Sequence, residues 1–310
     1  MTDLAIWADR LTKRYGDTLA ADGIDLAITR GAFFGLLGPN GAGKTSTVHM
    51  LSTLIRPTSG QARVAGYPVL TRGLDVRRNI GVVFQDPALD RTLTVAENLR
   101  FAGMLHGLSR AEIRQRSEAL LELFGLNEHR DRLVESLSGG MRRALDIARG
   151  MIHRPQVLFL DEPTTGLDLP NRRAIWRHIA RLRAEHGVTV LLTTHYLEEA
   201  VDCDEVAFLH AGRLVRSGRP RELIESLGRY VIEVETDAPG RVAADLAPRL
   251  GDALIEGNCV HFRSDDEPGE WAMLQQELAG AVRAVRWRRP NLNDVFLWVN
   301  HSAASRREAA

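Results

Sequence analysis

Three stretches of the chain are apolar without alternation: Phe33–Leu37, residues 157–160 and residues 188–192. Short unbroken apolar runs of this kind predict strands covered on both faces, as in a parallel sheet. Residues 4–14 alternate weakly and predict a half-exposed strand, answered by residues 23–29 through the Asp22-Gly23 turn. Residues 61–65 and 80–84 predict two further strands. Helical spacing governs residues 46–55, 142–152 and 170–185, and most clearly residues 93–124. There Thr94 with Glu97, and Ser109 with Glu112, stand three apart ahead of apolar periodicity, which predicts two capping boxes. An all-helical insertion, about residues 93–153, thus interrupts an alternating α/β pattern.

The pattern changes again near residue 229. A strand at 230–235 is followed by a helix at 241–250. Strands at 253–256 and 259–263 flank Gly257-Asn258, a two-residue hairpin signal. A helix at 271–278 and a strand at 282–288 complete the order βαββαβ, which is ferredoxin-like. Phe296, Leu297 and Trp298 follow as a large apolar group close to the chain end. They predict either a helix packed on its own small domain or a contact that bridges subunits or domains. Residues 301–310 read as a frayed tail.

Chemistry enters between the first unbroken strand and the first helix. Gly38, Pro39, Asn40, Gly41, Ala42, Gly43, Lys44 and Thr45 form a strand–turn–helix junction in which every fixed position of a phosphate-binding loop is matched. Glycines let consecutive N–H groups face an anion, and a helix opening beside them adds unpaired donors and a positive dipole end. Lys44 can reach the β- and γ-phosphates, and the Thr45 hydroxyl can ligate Mg²⁺. Residues 157–162 end in two acids, Asp161 and Glu162, at the carboxyl end of a buried strand, where open α/β sheets bind ligands. Asp161 can hold Mg²⁺ through water and Glu162 can accept a proton from an attacking water. His195, ending the next apolar strand, is placed to donate to a γ-phosphate. Gln85 is either a polar strand stop or a ligand to water and Mg²⁺. Ser138, Gly139 and Gly140 are either a plain helix cap or an anion site. Tyr15 is either an edge-strand aromatic or a face for adenine. The expected architecture is a P-loop nucleotide-binding α/β domain with a helical insertion, over residues 1–226. A small ferredoxin-like α+β domain follows at 229–300.

Composition narrows the partners. With 310 residues, 44% of them apolar, the chain can bury one large and one small core. Its formal net charge of zero argues against a general nucleic-acid binder and gives no reason to expect a membrane-surface binder. Lys13 and Lys44 are the only lysines among 40 basic residues, so the ammonium kept in the loop stands out. Cys203 and Cys259 lack metal-ligand spacing and are expected as reduced thiols of a cytoplasmic protein. Residues 1–14 lack the apolar core of a signal peptide. No run approaches the roughly 20 apolar residues of a membrane span, so any membrane process would need a separate subunit for its spans.

Taken in order, Tyr15, the Gly38 to Thr45 loop, Gln85, residues 137–141, residues 157–162, Asp168 and His195 resemble the ATP-binding subunit of ATP-binding-cassette (ABC) transporters. In that family's terms they match the A-loop, Walker A, Q-loop, signature, Walker B, D-loop and switch histidine. The resemblance spans about residues 4–225. It implies ATP contacts from Tyr15, the loop with Ser46, and Ser138, Gly139, Gly140 and Asp168, with Mg²⁺ held by Thr45, Gln85 and Asp161. It implies catalytic roles for Lys44, Gln85, Glu162 and His195. It also implies head-to-tail pairing with a second ABC ATPase subunit, each ATP lying between one chain's Walker A and the other's signature. Residues 290–298 and the Arg142-Arg143-Ala144-Leu145-Asp146 run resemble exporter ATPases of the daunorubicin-resistance type. Export through a separate transmembrane permease is what this implies; an importer ATPase or a soluble non-transport ABC ATPase is the alternative.

Overall fold

The computed structural model describes residues 3–265 and 282–308. Strands β1 (Leu4–Tyr15) and β2 (Thr18–Thr29) form a long antiparallel hairpin, with β4 (Ser59–Val64) on the free side of β1 and β5 (Tyr67–Pro68) beyond it. The hairpin is longer than the predicted pair because Tyr15 and Thr18 already face each other across the Gly16 turn. A separate sheet holds parallel strands. Phe33–Leu37 (β3) pairs with Thr189–Thr194 (β8), β8 with Val157–Asp161 (β7), and β7 with Ile80–Val83 (β6). Every residue of β3, β7 and β8 is buried, which is why these strands read as unbroken apolar runs. At about 1.5–3 kcal/mol per large aliphatic or aromatic side chain, this layer is a main source of stability.

Helix α1 (Lys44–Leu51) leaves the carboxyl end of β3 and ends earlier than predicted. A short α2 (Gly73–Asn79) precedes β6; its seven residues are too few to impose a periodicity. The insertion forms as expected, with α3 (Val95–Leu105) and α4 (Arg110–Leu123) each opened by a complete capping box. Helix α5 starts at Gly139, three residues before the predicted position, because Ser138 caps it and the two poor helix formers are carried in its first turn (Gly139–Met151). Helix α6 (Leu169–His186) is capped by Asp168 and closed by Gly187 in the left-handed conformation.

The chain divides into two compact units. One is Met1–His195 with Leu209–Leu214; the other is Tyr196–Phe208 with Val215–Ala310. The boundary near residue 226 read from the sequence does not coincide with this division. Strands β9 (Glu205–His210) and β10 (Arg213–Gly218) are each divided between the two units, and the second unit continues with α7 (Pro220–Glu225) and β11 (Tyr230–Glu235). Then follow α8 (Pro239–Leu250), β12 (Leu254–Glu256), β13 (Cys259–Ser264) and β14 (Ala284–Arg288). The sheet order is β12-β13-β11-β14 with every neighbour antiparallel, the ferredoxin-like arrangement. Helix α8 covers it through Val242, Ala243 and Leu246, against Ile232, Val234, Val260 and Phe262. The helix predicted at 271–278 lies outside the described residues.

The last helix, α9 (Leu292–Glu308), runs on into the residues expected as a frayed tail from residue 301. No glycine or proline interrupts it, and Ala303, Ala304, Arg306, Arg307 and Glu308 are good helix formers. Its residues Leu292, Val295, Trp298 and Val299 are buried. The Phe296 ring packs on Phe208 at 6.0 Å, and the Trp298 ring stands edge-on to His261 at 6.5 Å. Helix α9 also lies on α7 and on the 3-10 turn Leu197–Ala200, which draws residues 196–208 into this unit.

Candidate functional site: a phosphate loop beside a buried carboxylate

The loop between β3 and α1 takes its shape from glycine at two positions. Gly38 and Gly43 have φ of 158° and 104°, and a Cβ there would stand 2.3 Å from the Leu209 carbonyl oxygen and 2.1 Å from that of Ala20. Only glycine satisfies both the backbone and the neighbouring strand. Gly43 caps α1 without a side-chain bond, so the first turn's N–H groups face the loop. Lys44 is 4% exposed. Its ammonium donates to the carbonyls of Gly38 at 2.8 Å and Pro39 at 3.1 Å and lies 3.4 Å from Glu162 Oε1.

Across from the loop, β7 delivers Asp161 and Glu162. Asp161, 2% exposed, accepts from the hydroxyls of Thr193, at 2.5 Å, and Thr45, at 3.4 Å. Glu162 is 8% exposed and adopts a left-handed backbone with φ of 47°, an unfavourable state for a residue with a Cβ. Its Oε2 accepts from the Thr165 hydroxyl at 3.2 Å and lies 3.2 Å from His195 Nδ1. Thus Lys44 and Thr45 from α1, Asp161 and Glu162 from the end of β7, and His195 from the end of β8 meet at the carboxyl ends of β3, β7 and β8.

The other predicted residues lie around this cluster. Gln85 is exposed just past β6, with its carbonyl accepting from Arg143 Nη2 at 2.7 Å. Tyr15 is 46% exposed at the end of the β1–β2 hairpin, with the Lys13 ammonium 5.0 Å from its ring centroid. Ser138 and Gly139 are exposed at the start of α5, where the Ser138 hydroxyl accepts from the Met141 N–H. Gly140 is buried against α6: a Cβ there would stand 2.2 Å from Asn171 Oδ1. Asp168 accepts from the Asn171 N–H at 2.9 Å, so the openings of α5 and α6 are neighbours. The structure brings none of Tyr15, Gln85, Ser138 or Asp168 into the Lys44–Glu162–His195 group.

Two participants escaped the sequence reading. Thr193 binds Asp161 through its hydroxyl, and its carbonyl and hydroxyl both accept from the Glu162 N–H. A threonine inside an apolar strand reads simply as β-branched. Arg143, 3% exposed, holds three main-chain carbonyls near the site. Burial pulls its guanidinium below the ordinary value, against the pull of Asp146, Asp86 and Asp161. Burial also raises the Asp146 carboxyl, opposed by Arg149 and Arg143. Among the described residues no group of three or more His, Cys, Asp or Glu offers an all-protein metal cage. Thr45 and Asp161 instead present two hard oxygen donors side by side.

A glycine-cornered loop on a helix N-terminus, facing acids at the ends of parallel strands, defines a nucleoside-triphosphatase of the phosphate-loop class. The family model described as ABC transporter matches residues 21–165. The daunorubicin/doxorubicin resistance ATP-binding protein DrrA of Streptomyces peucetius is 42% identical over 94% of this chain and 91% of its own. A Nod factor export ATP-binding protein I of Cupriavidus metallidurans is 42% identical over 92% and 93%. Among solved structures, cbiO1 of Clostridium perfringens, part of the ABC transporter complex cbiONQ, shares 29% identity. It has a TM-score of 0.67 and covers 80% of this chain and 96% of that one. A dimeric ATP-binding cassette, MJ0796, bound to ADP and Pi, shares 26% identity at a TM-score of 0.63, covering 69% and 98%. This chain belongs to the ABC transporter family, as an ATP-binding, ATP-hydrolysing subunit.

Proposed function

We propose that this chain drives export, working beneath a separate transmembrane permease at the cytoplasmic face of the cell membrane. Its cargo would be drug-like or a glycolipid or polysaccharide. The relatives named for daunorubicin resistance and Nod factor export support the direction and the cargo class. The observation that carries the chemistry is the Glu162 carboxylate, held between Lys44 and His195 at the strand ends. No helix among the described residues is long and apolar enough to cross a membrane, which is consistent with spans supplied by another chain.

In this reading Gly38 to Ser46 cradle the phosphates of ATP, Lys44 offsets their charge and Tyr15 faces the adenine. Thr45 and Asp161, with Gln85, would hold Mg²⁺; their oxygen donors fit that ion, which takes remaining ligands from water and phosphate. When bound, Mg²⁺ supplies charge neutralisation at the transferred phosphoryl group. Glu162 accepts the proton of the attacking water and His195 donates to the γ-phosphate. Ser138, Gly139, Gly140 and Asp168 serve the ATP of a second ABC subunit, most simply another copy of this chain. We assign these roles to a cassette over residues 1–226, with residues 229–300 as an accessory domain.

Purified protein tests the chemistry. Glu162→Gln keeps the shape but removes the base, so ATP should still bind while hydrolysis falls at least a hundredfold. A near-normal rate would sink the assignment. Affinity purification from detergent-solubilised membranes tests the partnership: a protein with several spans should co-purify in stoichiometric amount, and its absence would remove the permease.

A further inference from the structure

Glu162 is the one site residue whose backbone is strained, and it is pinned from both sides. Its N–H donates to the Thr193 carbonyl at 3.0 Å and to the Thr193 hydroxyl at 3.1 Å. Its carbonyl accepts from Arg143 Nη2 at 3.3 Å. A non-glycine residue stays in the left-handed region only where its surroundings over-determine it, and these three bonds are that constraint. The conformation has a consequence for the side chain: it sets the carboxylate between Lys44 and His195 rather than continuing the line of β7.

Arg143 does more than close this clamp. The same guanidinium donates through Nη1 to the Phe84 carbonyl and through Nη2 to the Gln85 carbonyl at 2.7 Å. Asp146, one turn along α5, lies 3.7 Å from Nη1 and is itself held by Arg149 at 3.0 Å. A rigid planar fork can serve several carbonyls at once, which a single ammonium cannot. One side chain therefore joins three places: the turn at Gln85, the backbone of Glu162, and α5, whose first turn begins at Ser138.

We propose that Arg143 is a positioning residue for ATP hydrolysis. It fixes the Glu162 main chain so that the carboxylate is aimed at the reacting centre, and it ties that aim to the Gln85 turn and to α5. The inference rests on Glu162 acting as the base, and on nothing assumed about the cargo or the permease.

The test is a double-mutant cycle on the purified full-length chain. Arg143→Lys keeps a buried cation beside Asp146 but gives up the fork. It should fold with a wild-type circular dichroism spectrum and lower kcat at least fivefold, with KM and Kd for ATP within threefold, because the phosphate loop is untouched. Combined with Glu162→Gln, it should lower the residual rate by less than twofold, since a residue acting through Glu162 has nothing left to position. Asp146→Asn serves as the contrast: it should reduce thermal stability while leaving kcat within threefold. Wild-type kcat in Arg143→Lys, or a full additive loss in the double variant, would overturn the proposal. If Arg143→Lys does not fold, Arg143→Gln takes its place, and a chain that folds with neither assigns Arg143 to the core and overturns it too. Should Glu162→Gln alone hydrolyse ATP normally, the base assignment fails instead, a result distinct from all of these.

Discussion

The Lys44 ammonium lies 3.4 Å from the Glu162 carboxylate, and both side chains are almost wholly buried. Two charges at this depth are tolerable only because each is satisfied by further partners. Lys44 has the carbonyls of Gly38 and Pro39, and Glu162 has Thr165 and His195. The pair thus joins the phosphate-binding half of the site to its hydrolytic half. Lys44→Ala should weaken ATP binding at least tenfold and abolish hydrolysis, unlike Glu162→Gln, which spares binding. Titration with a fluorescent ATP analogue separates the two, and equal affinities would remove Lys44 from the phosphate site.

If the exposed Ser138 at the head of α5 serves the ATP of a second subunit, the lesions must complement in trans. Lys44→Ala chains and Ser138→Arg chains should each be nearly inactive alone. Mixed, they form heterodimers with one site free of both lesions and one carrying both. ATP hydrolysis should therefore reappear in the mixture, measured as phosphate release in the presence of Mg²⁺. A mixture no more active than either parent would count against a shared site.

His106 and His153 stack face to face, with centroids 3.6 Å apart and planes 3° from parallel. Burial first, then the neighbouring His106, and then Arg116, push the His153 pKa down to about 4, against the opposing hydrogen bond to the Ile80 carbonyl. The unfolded chain takes up this proton near pH 6.5, while the folded chain resists it until about 4, so stability falls as pH drops through that window. The loss between pH 7.5 and 5.0 is about 2 kcal/mol. Urea unfolding should show His153→Gln losing less stability over that interval than wild type. Equal pH dependence in the two would mean that His153 titrates normally.

Much of this architecture is legible in the sequence, and the failures have physical causes. Strands β3 and β11 and both capping boxes fall where predicted, because unbroken apolar runs and Ser/Thr-x-x-Glu spacing are local signals. Helix α1 opens two residues early because its cap is a glycine in a left-handed turn, which no side chain announces. The residues of the loop and the acids were readable as chemistry. Arg143 was not: a buried arginine on a helix is spelled like an exposed one, and only the fold shows it reaching carbonyls 58 and 59 positions upstream and 19 downstream. The division of the chain was hidden for a similar reason, since Phe208 and Phe296 meet only in space.

Asp294 is fully buried in the second unit, where it accepts from Arg288 Nη1 at 2.7 Å, Arg288 Nη2 at 2.8 Å and the Asn291 N–H at 2.8 Å. Arg288 also binds Glu233 on the central strand β11, so one guanidinium fastens α9 to the sheet. The hydrogen bond to Asp294 holds the Arg288 guanidinium above its usual value. Arg288 is 36% exposed and keeps Glu233, so losing these charge-assisted hydrogen bonds costs about 1.5–3 kcal/mol. Asp294→Ala should therefore lower the stability of this unit by that order, seen as early cleavage of the C-terminal region in limited proteolysis. Hydrolysis at Glu162, in the other unit, should fall far less, and a proteolysis pattern identical to wild type would show the pair to be dispensable.

The apolar group at the chain end admits a final test. Phe296 packs on Phe208, Trp298 stands against His261 with the Arg263 guanidinium 5.7 Å from its ring, and Val295 is fully buried. All these contacts lie within one unit of a single chain. Burial of each large side chain contributes about 1.5–3 kcal/mol, so α9 has enough to gain at home without a partner. Deleting residues 291–310 should thus uncover Phe208 and His261 and destabilise this unit, raising its binding of a hydrophobic dye. Subunit pairing should survive. In the Glu162→Gln background with ATP, the truncated chain should still run at dimer mass in size-exclusion light scattering. A monomer under those conditions would mean that α9 also holds two subunits together, and the account of a purely internal helix would fail.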